Sequence, residues 1–185
     1  VEAGFEAAVA PLGTAITEAQ LSLLWRMTPE PIVALDGDKA GMRAAYRLID
    51  LALPALEAGR ALRFALMPEG QDPDDLIRQS GAGALRKLLQ KSMPMVELLW
   101  QREMASGPFD SPERKAGLDK ALASKIKLIK DHGLRLHYEA ALKDLRWALF
   151  RNRGKRSGKR GQAASLLGKP QQSTKASALA SGNDR

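Results

Sequence analysis

A short apolar run that stops at paired acids constrains this chain more than any other stretch. Ile32-Val33-Ala34-Leu35 is uninterrupted and partly β-branched, the pattern of a parallel strand buried on both faces. It ends at Asp36-Gly37-Asp38. Residues i and i+2 of an extended chain point the same way, so Asp36 and Asp38 should project together from the carboxyl end of the strand, where open α/β sheets hold their ligands. Two carboxylates so close repel each other unless one is protonated or a cation lies between them. Hard oxygen donors of this kind suit magnesium or manganese. A second reading stands beside the first: an Asp-Gly turn in which Asp38 caps the next helix.

The same design recurs downstream. The apolar run Leu62 to Met67 leads into Pro68-Glu69-Gly70-Gln71-Asp72-Pro73-Asp74-Asp75. Asp72 as N-cap, Pro73 at the first helical position and Asp75 at N3 describe an ordinary helix start. Capping and metal binding are compatible, because a carboxylate can cap a helix and still face an ion beyond the sheet edge. A right-handed βαβ unit sets both acidic turns on one edge. Four carboxylates converging there would need cations.

Around these turns the pattern predicts a strand near Ala8 to Leu12, a loop at Gly13-Thr14, and a helix from Thr17 to about Met27 with Thr17 and Gln20 spaced as a capping box. A helix from about Ala40 to Ala58 follows the first acidic turn, closed by Gly59 and kinked or shortened by Pro54. A short helix, Pro73 to Gln79, follows the second. Alternating strands and helices give a parallel sheet with helical cover. From Ala84 onward the periodicity is helical only, with breaks at Gly107-Pro108 and near His132-Gly133. Leu85, Leu88, Leu89, Val96, Leu99 and Trp100 supply one apolar face and Leu118, Leu122, Ile126 and Ile129 another, as in a small three-helix bundle.

Gly13-Thr14 after Val9 to Leu12, the run Leu35 to Ala45, and Met67 to Arg78 together resemble the TOPRIM domain of bacterial DnaG-type replicative primases. The resemblance covers about residues 1 to 150, since His137-Tyr138 and Leu145 to Phe150 are similar to the end of the helical subdomain that follows TOPRIM there. It implies that Asp36, Asp38, Asp72 and Asp74 hold divalent metals, Mg2+ or Mn2+, that activate nucleotides. Asp36 and Asp72 would be the catalytic pair, and Asp38 would bind a second metal or its water. The implied reaction is metal-dependent RNA primer synthesis on a single-stranded DNA template from ribonucleoside triphosphates, with a replicative helicase as partner. The family's catalytic glutamate sits in a Glu-Gly-Tyr segment on an earlier strand. Glu2 directly precedes Ala3-Gly4-Phe5, falls on the helix after that strand, and is not assigned the role. The chain therefore resembles an N-terminally truncated or internal piece, expected to make no primers by itself. A noncatalytic TOPRIM-type nucleic-acid or helicase-associated module, or another TOPRIM enzyme such as a nuclease, is the alternative.

Charge separates the chain into parts. Of 29 Lys and Arg and 21 acidic residues, nine basic and one acidic lie in residues 151–185, so the first 150 residues balance at 20 of each sign and the net +8 resides in the tail. That tail is rich in Gly, Ser, Gln and Ala and is expected to be disordered. It reads as a linker, with Arg151, Arg153, Lys155, Arg156, Lys159 and Arg160 available for nonspecific nucleic-acid contact through phosphates. The expected domains are thus a partial TOPRIM α/β sheet at 1–83, a helical subdomain at 84–150 and a disordered basic tail at 151–185. The sequence has no cysteine, which excludes disulfides and cysteine zinc sites and agrees with a cytoplasmic protein. No run approaches the roughly 20 apolar residues of a membrane helix.

Other residues take plainer readings. Lys39 and Arg43 follow the acidic turn and could reach a metal-held phosphate; Gly13 could let backbone approach one, or simply form its turn. His132 and His137 lack a third ligand and read as helix-end and packing residues. Trp100, Trp147 and Phe150, at helical spacing among leucines, read as core. Tyr46 and Tyr138 fall within amphipathic helices, which disfavours a topoisomerase-type tyrosine nucleophile.

Overall fold

The structure is a computed structural model that describes residues 4–10 and 15–165, with backbone alone for residues 152–165. Its organising unit is β1 (Ile32–Leu35), α2 (Lys39–Ala52) and β2 (Arg63–Leu66), the strands parallel and in register from Ile32 opposite Arg63 to Leu35 opposite Leu66. Helix α2 packs on β1 and buries Ala45, Leu48, Ile49 and Ala52, a three-and-four-residue spacing that puts one stripe against the sheet. It ends at Ala52, earlier than the expected Ala58. A 3-10 turn, Leu53–Ala55, takes over where Pro54 brings no N–H to continue the ladder. Before β1 lies α1 (Glu18–Met27), opened by the capping box: Thr17 N–H donates to Gln20 Oε1 at 2.9 Å and Gln20 N–H to Thr17 Oγ1 at 3.3 Å. Trp25 anchors this helix by donating its indole N–H to the Ala61 carbonyl at 2.9 Å.

Beyond β2 the chain departs from simple alternation. Two helices, α3 (Pro73–Ser80) and α4 (Ala82–Gln90), are joined at Gly81, whose φ of 77° suits glycine, and pack on each other. One crossover helix would deliver the chain to a parallel strand. A pair folded back on itself returns it to the same edge, so β3 (Met93–Pro94) runs antiparallel to β2, with Met93 opposite Phe64. The sheet order is β1-β2-β3. Leu85, Leu88 and Leu89 join Ala65, Met67 and Leu76 in an apolar cluster, so α4 covers β2. Those leucines were expected on one face with Val96, Leu99 and Trp100.

Helix α5 (Met95–Met104) follows β3 directly, contacts α2, β2 and β3, and buries Met95, Leu98, Leu99 and Trp100. It is clamped to α2 by Arg102, which donates to the Tyr46 carbonyl at 3.3 Å and to Asp50 Oδ1 at 3.0 Å. Asp50 also receives Lys125 Nζ at 2.9 Å, from α6 (Pro112–Ile126). Helix α6 buries the expected Leu118, Leu122 and Ile126, and Ile129 beyond its end is fully buried. Asp131 then opens α7 (His132–Ser165), accepting Leu134 N–H at 3.0 Å.

Residues Val1–Leu145 form one compact unit and Arg146–Arg185 another. The backbone of α7 runs to Ser165, into the segment expected to lack structure of its own; extending an existing helix avoids the cost of a new nucleus. Residues 166–185 lie outside the described residues. The strand expected near Ala8 to Leu12 is not present at Ala8–Ala10, and Pro11, Leu12, Gly13 and Thr14 lie outside the described residues.

Candidate functional site

Backbone, not side chain, brings the two acidic turns together. Met67 N–H donates to the Leu35 carbonyl at 2.9 Å, the last ladder bond before both strands end. A Cβ built on Gly37 would overlap the Met67 carbonyl, and one on Gly41 would overlap the Asp36 carbonyl. Only glycine lets the Asp36–Asp38 turn lie flat against Met67-Pro68 and lets α2 start so close beneath Asp36. The two turns therefore leave neighbouring strands, which sit about 4.8 Å apart, on one carboxyl-end edge.

The carboxylates differ in what they already hold. Asp38 is the N-cap of α2, accepting Gly41 N–H on Oδ1 at 2.7 Å. Asp72 is the N-cap of α3, accepting Asp75 N–H on Oδ1 at 2.7 Å, with Pro73 next as expected. Each stands at the positive end of a helix and commits one oxygen, leaving the other. Asp74 pairs with Arg78 at 2.8 Å, a solvated i,i+4 bridge worth little. Asp36, at the strand end, makes no hydrogen bond or ion pair among the described residues, and it is exposed, as are Lys39 and Arg43.

Among the described residues, no three acidic or histidine side chains form a ready ligand cluster. The four carboxylates thus lie along one edge without converging on a point. Oxygen-only donors, two of them fixed by caps, still fit a magnesium-type ion, which is commonly held by one or two carboxylates with waters and phosphates filling the remaining positions.

Several other residues can be placed. His132 and His137 are exposed on the first turns of α7. Tyr138 is mostly buried and its hydroxyl is pushed up to about 12 by that burial, which disfavours its ionisation. Tyr46 lies under Arg102, 5.8 Å from its ring centroid. Trp100 is core as expected, whereas Trp147, expected in the core, is 60% exposed. Helical spacing among leucines carries no information about where a neighbouring face ends. Arg151 is exposed; Gly13 lies outside the described residues, as do the side chains of Arg153, Lys155, Arg156, Lys159 and Arg160. Sequence reasoning missed the role of Gly37 and Gly41: the first rests on an approach to Met67 across the sheet that no local pattern encodes, the second on the start of α2 beneath Asp36. Two concavities of about 330 and 230 Å³ lie elsewhere, one beside Phe109 and Leu118, the other beside Met95 and Tyr138.

A parallel strand–helix–strand unit with acidic turns at its carboxyl edge is the frame of a Toprim-like domain, and residues 1–77 match that family. The DNA primase of Rickettsia conorii is 40% identical over 146 residues, which is 79% of this chain and 24% of that protein. A DNA primase domain from Pseudomonas aeruginosa superposes with a TM-score of 0.72 at 35% identity, over 77% of this chain and 45% of that one. A DnaG primase catalytic domain solved with single-stranded DNA gives 0.71 at 34% identity, over 77% and 46%. Over about three quarters of its length the chain is similar to part of the bacterial DnaG-type primases. It spans about a quarter of the curated relatives it matches.

Proposed function

We propose that the edge formed by Asp36, Asp38, Asp72 and Asp74 is the metal-holding part of a primase catalytic core, acting in RNA primer synthesis on single-stranded DNA in the cytoplasm. The observation that carries this reading is the glycine-enforced approach of the two acidic turns, with Asp36 left unpaired. Asp36 and Asp72 would be the direct ligands for Mg2+ or Mn2+. Asp38 would hold a second ion or its water, and Asp74, now paired with Arg78, would complete the acidic edge. A bound ion would neutralise charge between the reacting oxygens of a nucleotide and orient its phosphates. The protein's part is placement: the caps fix Asp38 and Asp72, and Gly37 sets the distance between the turns. Lys39 and Arg43 lie close enough in sequence to meet a triphosphate there. The relative solved with single-stranded DNA supports that template class. A replicative helicase is the partner that the family suggests.

Calorimetric titration with Mn2+, alone and with a ribonucleoside triphosphate, tests the assignment. Asp36→Asn and Asp72→Asn should each weaken Mn2+ binding and, with it, Mn2+-dependent nucleotide retention. Unchanged affinity in both variants overturns it.

A further inference from the structure

Trp147 stands out among the described aromatic residues. Trp25 and Trp100 are 6% and 9% exposed, yet Trp147 is 60% exposed, and the Arg151 guanidinium lies 4.2 Å from its ring centroid, one helical turn on. An exposed indole costs solubility and adds nothing to a core. From Arg146 to Ser165 the sequence holds seven basic residues and no acidic one, and Lys155 and Lys159 continue the four-residue interval set by Trp147 and Arg151. We propose that Trp147 and Arg151 form a contact site for single-stranded nucleic acid, with a base stacked on the indole and a phosphate held by the guanidinium, distinct from the acidic edge.

Three observations favour this occupant. Charge complementarity selects a polyanion. A membrane surface fits less well, because an interfacial helix needs a broad apolar face and no side chain from Arg151 to Ser165 is larger in apolar character than alanine. A single strand, unlike a duplex, has bases free to stack, and a planar guanidinium held against an indole is a platform for that stacking.

Fluorescence anisotropy with labelled oligo-dT of about 16 nucleotides, across a salt series, reads both parts of the contact. Trp147→Leu keeps an apolar side chain but removes the stacking face. It should weaken binding at least about fivefold with an unchanged salt slope, whereas Trp147→Phe should retain most of the affinity. Arg151→Ala should weaken binding and reduce the slope by about 0.7, one phosphate contact. Quenching of tryptophan emission should saturate with the same affinity in the wild type and vanish in Trp147→Leu. Equal affinity of Trp147→Leu and wild type, equal affinity for a duplex of the same length, or an emission blue-shift on phosphatidylserine vesicles but none on oligo-dT would each overturn the proposal. Mn2+ affinity should be the same in Trp147→Leu and wild type, so this site and the acidic edge fail independently.

Discussion

Two groups of charged side chains in this molecule have opposite economies. Around Arg102 each charge meets an opposite one within the protein: Asp50 takes Arg102 and Lys125, Glu103 takes Arg102 Nε at 2.9 Å, and Arg102, 12% exposed, also donates to a backbone carbonyl, its buried Nη2 alone lacking a partner among the described residues. At the acidic edge the reverse holds. Asp36 has no partner among the described residues, Asp38 and Asp72 are bound only through caps, and Asp74 has one solvated arginine. Charges that satisfy one another fasten helices together. Charges of one sign, left open along a sheet edge, keep their capacity for a ligand and contribute repulsion until it comes.

The steepest way to break this comparison is through the backbone that makes the acidic edge possible. Gly37→Ala drives a methyl into the Met67 carbonyl, a contact with no flexible atom to yield. The loss should be about 3 kcal/mol of stability, with Mn2+ binding falling in parallel, read by urea unfolding and calorimetry. Full retention of both would mean that the turns are not set by that approach. Next in size is the paired group. Arg102→Ala leaves Glu103 without its cation in partly buried surroundings and Asp50 with Lys125 alone, at a cost of about 2–3 kcal/mol, and should leave Mn2+ affinity unchanged.

Asp36→Asn sharpens the contrast from the other side. Its stability change should stay within about 0.5 kcal/mol, or turn slightly favourable in metal-free protein, because it removes one of several like charges on an exposed edge. Mn2+ affinity should fall about tenfold or more, since a ligand oxygen is lost where few are fixed. The signature is the ratio: affinity lost without stability lost, the inverse of Arg102→Ala. A stability loss matching the affinity loss would place Asp36 with the structural charges.

What could be read from sequence follows the range of the interactions concerned. The two acidic turns, the Thr17 capping box and Asp72-Pro73 are decided within four residues and appear where the pattern put them, whereas the helix expected to reach Ala58 is shortened at Pro54 and stops at Ala52. The approach of Gly37 to Met67 joins residues 30 apart through sheet register, and nothing local encodes it. Met93-Pro94 is too short to carry an alternation, so β3 is specified by the helix pair before it and by β2 beside it. Asp50 and Arg102 meet across 52 positions, on helix faces that look merely solvated in one dimension. Trp147 illustrates the same limit: its spacing matched a core stripe, and only the fold shows that the stripe is uncovered there.

The smallest expected effect is also the most selective, because it depends on the sign of one titration. Burial pushes the Asp50 carboxyl up, but hydrogen bonds from Lys125 and Arg102 outweigh it and hold the group below its usual value of 3.8. A carboxylate depressed in the folded state stabilises the fold at every pH above its unfolded value, and the contribution disappears as pH falls through the folded one. Asp50 is half exposed, so solvent screening keeps the effect to about 1 kcal/mol or less. Asp50→Asn should therefore unfold at lower urea than wild type at pH 7 and at pH 5 by the same small margin. Below pH 3.8 the two midpoints should draw together, because the unfolded chain takes up its proton there first, and they should meet once pH falls below the depressed folded value. If the Asp50 gap persists unchanged at pH 3, the side chain acts through shape or neutral hydrogen bonding, and the distinction between answered and unanswered charges would have to rest on Arg102 alone.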